Sequence, residues 1–259
     1  MFEARMSDSS VMKRLMEAIT TLIEDGSFDV SSKGLSLQAM DSSHVALVSM
    51  CLRNEAFDPF RCDRNLSLGV QFKQMSKIIK CAGNNDVMTM KAEDDGDVLN
   101  LVFESSNGER MSEFAMKLTD IDSEQVGIPE TEYSAIIKMP SSEFARVCRD
   151  LSNFGESVTI CVTKDGLKFS VKGDSSNASM KFSQTGSGDD NNDVTIDLND
   201  PCTLTFAVKY LTHFCKASSL SERVTLSLSN DNPLVVEYKI GDGLGHIRYY
   251  LAPKMMDDD

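Results

Sequence analysis

Apolar and polar residues alternate along most of this chain. Stretches such as 30–40 (VSSKGLSLQAM), 45–52 (VALVSMCL), 98–104 (VLNLVFE), 158–171 (VTICVTKDGLKFSV), 178–183 (ASMKFS) and 224–229 (VTLSLS) repeat with a period of two. That period places one face of a strand against a core and the other in water. The runs are short and closely spaced, so antiparallel strands are predicted. Helical spacing breaks the pattern four times. After Ser9 or Ser10, Val11, Leu15, Ala18, Ile19 and Leu22 fall on one face; Phe72, Met75, Ile79 and Ala82 do the same further on. A third helix is predicted after Pro140, with Ser141 as its N-cap and Phe144, Val147, Cys148 and Leu151 as its apolar stripe. Val208, Leu211 and Cys215 mark the fourth.

Residues 118–134 differ from their surroundings: five acids, no basic residue, and the breakers Gly127 and Pro129. They read as an extended linker between domains at 1–117 and 135–259. The order of elements repeats across it. A helix leads to FDVSSKGLSLQAMDSSHVALVSM in the first half and to VTICVTKDGLKFSVKGDSSNASMKFS in the second. Each reads as strand, Gly-Leu turn, strand, Asp-Ser-Ser, strand. VQFKQMSKIIKCA and AVKYLTHFCKA correspond further on, each followed by more strands. The expected class is α+β: an internal duplication of antiparallel sheets with helices on one face.

Charge sharpens this picture. The formal net charge is −14, which repels polyanions at long range, yet basic residues gather on the predicted helices. Lys73, Lys77 and Lys80 recur at i, i+4 and i+7, and Lys209, His213 and Lys216 share that spacing on the matching helix. With Lys13, Arg14, Arg146 and Arg149, nine of the 26 Lys and Arg residues lie on four short segments. Solvation explains any one of them. As a set they point to a basic surface, since screening over about 8 Å lets it act locally in an acidic protein.

Candidate chemistry is sparse. The three histidines lie in no recognised catalytic or metal-binding motif, and His213 reads as part of the basic rail. GDGLGH at 241–246 has the spacing GxGxG and precedes an alternating run, so a hairpin turn is predicted rather than a nucleotide loop. Seven cysteines at irregular spacing, without a CxxC pair, read as reduced and mostly buried thiols. No catalytic site, metal or cofactor is expected. Without a signal-peptide layout or an apolar run of about 20 residues, a soluble intracellular protein is expected, with no membrane partner.

MFEAR, LQAMDSSHVALV, FRCDRNLSLGV, MSKIIKCAGN, EYSAIIKMPSSEFARVCRDLS and PLVVEYKIGDGLGHIRYYLAPK resemble the eukaryotic proliferating cell nuclear antigen family of DNA sliding clamps, from Met1 to Lys254. The resemblance implies a non-enzymatic homotrimeric ring in the nucleus. It would encircle double-stranded DNA without reading sequence, act as processivity factor for the replicative DNA polymerase, and dock the clamp loader and other proteins carrying clamp-binding peptides.

By the same resemblance the DNA-facing residues are Lys13, Arg14, Lys77, Lys80, Arg146, Arg149, Lys209 and Lys216, with Arg110 nearby and Lys73 beside them. The partner-peptide pocket is Met40, His44, Val45, Leu47, Val126, Ile128, Pro233, Tyr250, Leu251, Ala252, Pro253 and Lys254. Subunit contacts fall to two edge strands, through Phe114 and Met116 on one and Ala178, Met180 and Phe182 on the other. Lys164 matches the family's ubiquitin acceptor. Val126, Phe114, Thr20 and Asn153 depart from the residues the family commonly has there. A checkpoint-type or paralogous clamp is the alternative within the family; an enzyme and a duplicated scaffold without nucleic-acid function are the alternatives outside it.

Overall fold

The computed structural model describes residues 1–83, 85–121, 126–128, 131–184, 193–230 and 232–254. The chain forms two compact units: Met1–Ser42 with Val48–Val126 and Ile240–Ile247, and Ser43–Leu47 with Gly127–Lys239 and Arg248–Asp259. Parts of residues 118–134, and the acidic stretch 186–193 apart from Asp193, lie outside the described residues.

The duplication extends to every strand and α-helix. The first half runs β1 (Phe2–Met6), α1 (Ser10–Thr20), β2 (Asp25–Ser31), β3 (Gly34–Met40), β4 (Ala46–Arg53), β5 (Phe60–Cys62), β6 (Leu66–Gln71), α2 (Phe72–Ile79), β7 (Val87–Ala92), β8 (Val98–Glu104) and β9 (Met111–Lys117). The second half repeats that order as β10 (Ala135–Pro140), α3 (Ser141–Leu151), β11 (Ser157–Thr163), β12 (Gly166–Lys172), β13 (Asn177–Phe182), β14 (Thr195–Leu198), β15 (Cys202–Ala207), α4 (Val208–Phe214), β16 (Arg223–Leu228), β17 (Leu234–Ile240) and β18 (Gly245–Leu251). Pairing repeats as well. The order β5-β1-β7-β8-β9 has its counterpart in β14-β10-β16-β17-β18, and β4-β3-β2-β6 in β13-β12-β11-β15. Every ladder given a register is antiparallel, for example β1 with β7 and β10 with β16.

The unit boundary cuts across β4 and β18, which are hydrogen-bonded neighbours. Arg53 N donates to Leu244 O in one unit, and Ala252 N donates to Val45 O in the other. The duplicated counterparts of these strands, β13 and β9, each have a neighbour on one side only among the described residues.

Alternation explains the packing. In β11, β12 and β15, Val158, Ile160, Val162, Leu167, Phe169, Val171, Leu204 and Phe206 are buried while the intervening residues are not. Phe144 of α3 packs on Phe169, at 6.3 Å between ring centroids, and so covers the buried face. α1 packs on α2, and α3 on α4.

Three details depart from the sequence-based expectation. On α1 the buried stripe includes Met12 and Met16, while Val11 and Leu22 are only half-buried. Ser141 does not cap α3: Pro140 holds that position, Ser141 is the first helical residue, and its N–H donates to Glu222 O at 2.8 Å. β10 runs straight into α3, so a main-chain carbonyl does what a capping side chain does elsewhere. The cysteines are free, as expected, but only Cys148 and Cys202 are buried and Cys81 is exposed. At 241–246 the chain makes the predicted turn, with Gly241 and Gly243 at φ of 52° and 81°.

The Gly-Leu turns carry the duplication into backbone strain. Gly34 and Gly166 adopt φ of +130° and +120°. A Cβ would lie 2.1 Å from Leu52 O at the first and 2.3 Å from Phe182 O at the second. Only glycine permits both the conformation and the close approach of the next strand. Gly166→Ala is therefore expected to destabilise the protein by about 1–3 kcal/mol and to loosen β13, measurable by denaturant unfolding and by amide exchange in 177–182.

Candidate nucleic-acid and partner surfaces

Apart from Arg110, which precedes β9, the predicted DNA-facing residues fall on the two helix pairs or the turns that end them, but their partners differ. Lys77, Lys80, Lys209 and Lys216 are exposed and make no ion pair among the described residues. Lys80 caps the C-terminus of α2, where a cation meets the negative end of the helix dipole. Lys216 lies in the 3₁₀ turn Cys215–Leu220 that continues α4. Lys209 Nζ sits 5.0 Å above the Tyr210 ring.

The others are engaged within their own unit. Lys13 Nζ donates to Ala82 O at 2.6 Å and Gly83 O at 3.2 Å, tying α1 to the end of α2. Arg14 donates to Ser10 O and Ser10 Oγ. Arg146 meets Glu143 at 3.9 Å and Asp150 at 3.6 Å, and Arg149 meets Asp150 at 3.3 Å. Lys73 pairs with Glu24 at 2.7 Å. Arg110 donates to the buried carboxylate of Asp86 at 2.6 Å. A hydrogen bond from Gly83 N, together with Arg110, holds the Asp86 carboxyl below the usual carboxylate range. The open positive charge thus belongs mainly to the lysines of α2, α4 and their C-terminal turns.

His213 does not join the rail as a cation. Its ring is half-buried and its Nδ1 has no hydrogen-bond partner among the described residues. Burial lowers its pKa, and the neighbouring Lys209 and Lys216 lower it further. The imidazole is neutral at physiological pH.

Partner-pocket candidates divide between the units. Met40 and Val126 in the first are 37% and 41% exposed, and Ile128 in the second is 38% exposed. Large apolar side chains this open are few among the described residues, and open apolar groups commonly mark contact surfaces. Gln38 fixes the backbone of Val126, accepting from its N–H at 2.6 Å and donating to its carbonyl at 3.0 Å. In the second unit Val45, Ala252, Pro253 and Lys254 line a cavity of about 1090 Å³. Lys254 is anchored there by N–H to Thr205 O at 2.8 Å and by Nζ to Ser157 Oγ at 2.5 Å.

His44 and Pro233 are exposed and Tyr250 is half-buried, whereas Leu47 and Leu251 are core residues at 7% and 0% exposure. His44 adopts φ of 56°, uncommon outside glycine. Sequence reading missed Ser43 and Tyr210, whose hydroxyls are 2.6 Å apart in the wall of the cavity. Residues 167 apart in the chain leave no periodic signal of their meeting.

The candidate subunit-contact residues lie on strands with an open side. On β9 Phe114 is half-buried against Phe103, at 5.8 Å, and Met116 is buried. On β13 Ala178, Met180 and Phe182 are half-buried, and Phe182 meets Phe169 edge-on at 6.1 Å. Lys164 occupies the turn between β11 and β12. Among the described residues no group of acids, histidines and cysteines could hold a metal, and no helix is long and apolar enough to cross a membrane.

Two family models match the chain. "Proliferating cell nuclear antigen, N-terminal domain" matches residues 1–126, and "Proliferating cell nuclear antigen, C-terminal domain" matches residues 127–254.

The neutral state of His213 has a testable sign. A histidine whose folded pKa is lowered binds fewer protons folded than unfolded, so its contribution to stability is present above the ordinary value near 6.5 and is lost as pH falls below it toward the folded pKa. In an NMR titration His213 is expected to protonate below that ordinary value. Lys209→Ala and Lys216→Ala should each move its midpoint upward.

Proposed function

The chain belongs to the proliferating cell nuclear antigen family, and we propose that it acts as a homotrimeric ring in the nucleus, encircling duplex DNA as the processivity factor of the replicative polymerase. The fold is the α+β DNA-clamp fold, and the family's members are sliding clamps, scaffolds rather than enzymes. We further propose the division into domains 1–117 and 135–259 around the linker 118–134.

One observation carries the ring: the unequal fate of duplicated edges. β18 pairs with β4 inside the chain, while among the described residues their counterparts β9 and β13 each keep one open side. Open strand edges invite pairing. Joining β9 of one copy to β13 of the next would pair these edges as β18 and β4 are paired. Such a contact is head-to-tail, and head-to-tail contacts close into rings when the rotation allows. Of the predicted contact residues, Phe114, Ala178, Met180 and Phe182 are the half-buried apolar groups offered to it, while Met116 is buried within its own unit.

Within such a ring, Lys77, Lys80, Lys209 and Lys216 would offset phosphate charge, with Lys13, Arg14, Arg110, Arg146 and Arg149 already sharing theirs with groups of the chain. Contacts of this kind are independent of sequence and let the protein slide. Met40, Val126 and Ile128, with Val45 and residues 252–254, would receive apolar anchors of peptides from the polymerase, the clamp loader and other partners. Lys164, in an exposed turn, is the proposed modification site.

Met180→Asp is expected to shift native mass from trimer to monomer at nanomolar protein without unfolding the chain; unchanged mass would refute the β9–β13 contact. For the rail, Lys77→Ala with Lys80→Ala should lower the salt slope of duplex binding by roughly one unit per lost phosphate contact. Arg146→Ala should cost less, because Glu143 and Asp150 already neutralise it. Equal slopes for parent and the lysine variant would leave these residues as a solvated helix face.

A further inference from the structure

The second unit carries another basic surface, on the side of the β13-β12-β11-β15 sheet opposite α3. Because the inward residues of these strands pack beneath α3, the alternate residues face solvent. None of the four strands contains Asp, Glu or Arg, in a chain with 40 Asp and Glu residues. Their outward positions include Lys168 and Lys172 on β12 and Lys181 on β13, all exposed.

Register builds a cradle between these lysines. Thr205 faces Thr159, Thr159 faces Ser170, and Ser170 faces Ser179, so a row of hydroxyls crosses all four strands. Thr159 and Thr205 share a hydrogen bond of 2.9 Å. Lys168 and Lys172 flank Ser170 on either side along β12. Together with Thr159, Ser170 and Ser179 they line a depression of about 310 Å³.

Two features set this surface apart from an ordinary solvated sheet. Lys168 lies directly opposite Lys181, an arrangement that destabilises a sheet by like-charge repulsion. Neither residue makes an ion pair among the described residues. The duplication supplies an internal control as well. Counted from the turn glycines, Ser36, Gln38 and Met40 occupy in the first unit the places of Lys168, Ser170 and Lys172, while Asp29 stands where the second unit has Cys161. The scaffold therefore does not require this basic character.

We propose that this face, centred on Lys168 and Lys172, docks an extended acidic polypeptide segment of a partner protein. Lysines four residues apart on a strand are separated by about 13 Å, the spacing of side chains at i and i+4 in an extended peptide laid along β12. Hydroxyls between them can donate to carboxylates. Single-stranded nucleic acid fits the face less well, because such sites rely on aromatic stacking and Phe169, Phe182 and Phe206 all point to the other side. A long duplex would meet the repulsion of a chain with net charge −14 without the helix lysines to offset it.

A fluorescein-labelled peptide of alternating Glu and Ser tests this on the full-length protein by anisotropy at low and physiological salt, with the Gln-for-Glu peptide as control. The Glu peptide should bind and the Gln peptide should not. Lys168→Ser combined with Lys172→Gln should weaken binding about five-fold or more, Lys168→Arg should retain it, and Lys77→Ala with Lys80→Ala should leave it unchanged. The thermal midpoint of Lys168→Ser should not fall, since an opposed charge pair is removed. Equal affinity of parent and double variant would overturn the proposal. So would binding of a single-stranded oligonucleotide through Lys168 and Lys172 where the Glu peptide fails to bind.

Discussion

An open strand edge is the constraint on which most else in this chain depends. Backbone N–H and C=O groups need partners, and a duplicated fold faces each edge requirement twice. The chain meets one by pairing β4 with β18 and leaves the other, between β9 and β13, to a second molecule in the reading proposed here. Gly34 and Gly166 belong to the same constraint. Each lets the following strand, β4 or β13, approach so closely that a side chain would strike its carbonyl.

Charge is organised on top of that backbone plan. An acidic chain can present basic surfaces because screening confines each to its neighbourhood, and the helices and the outer sheet face of the second unit use this differently. On the helices, some cations serve the fold first: Lys13 binds carbonyls beyond α2, and Arg110 neutralises the buried Asp86. Lys77 and Lys80, at the C-terminal end of α2, make no ion pair among the described residues. On the sheet, Lys168 and Lys181 oppose each other at a cost to stability, a pattern intelligible if an anionic partner offsets it.

The apolar surface follows similar logic. In the first unit Met40 and Val126 stay open, among the few large apolar side chains of the described residues that are mostly in solvent. Gln38 holds Val126 by both backbone groups, so the exposed side chain sits on an ordered support. A supported apolar patch loses less entropy on binding than a loose one.

Much of this was legible in the residues themselves. Period-two and helical spacing depend on near neighbours along the chain, so the strands, the four helices, the duplication and the 241–246 turn could be read directly. The basic spacing of Lys77, Lys80, Lys209 and Lys216 was equally visible, and the motif resemblance named candidate pocket residues. What faces what was not legible, because it depends on residues far apart in sequence. Only the tertiary structure assigned Glu222 O to the N–H of Ser141, lowered the pKa of His213 through burial, placed Ser43 against Tyr210, and set Lys168 opposite Lys181. Periodicity determines the face on which a side chain lies. Its partner is decided by cross-strand register and by chain reversals, which carry no local signature.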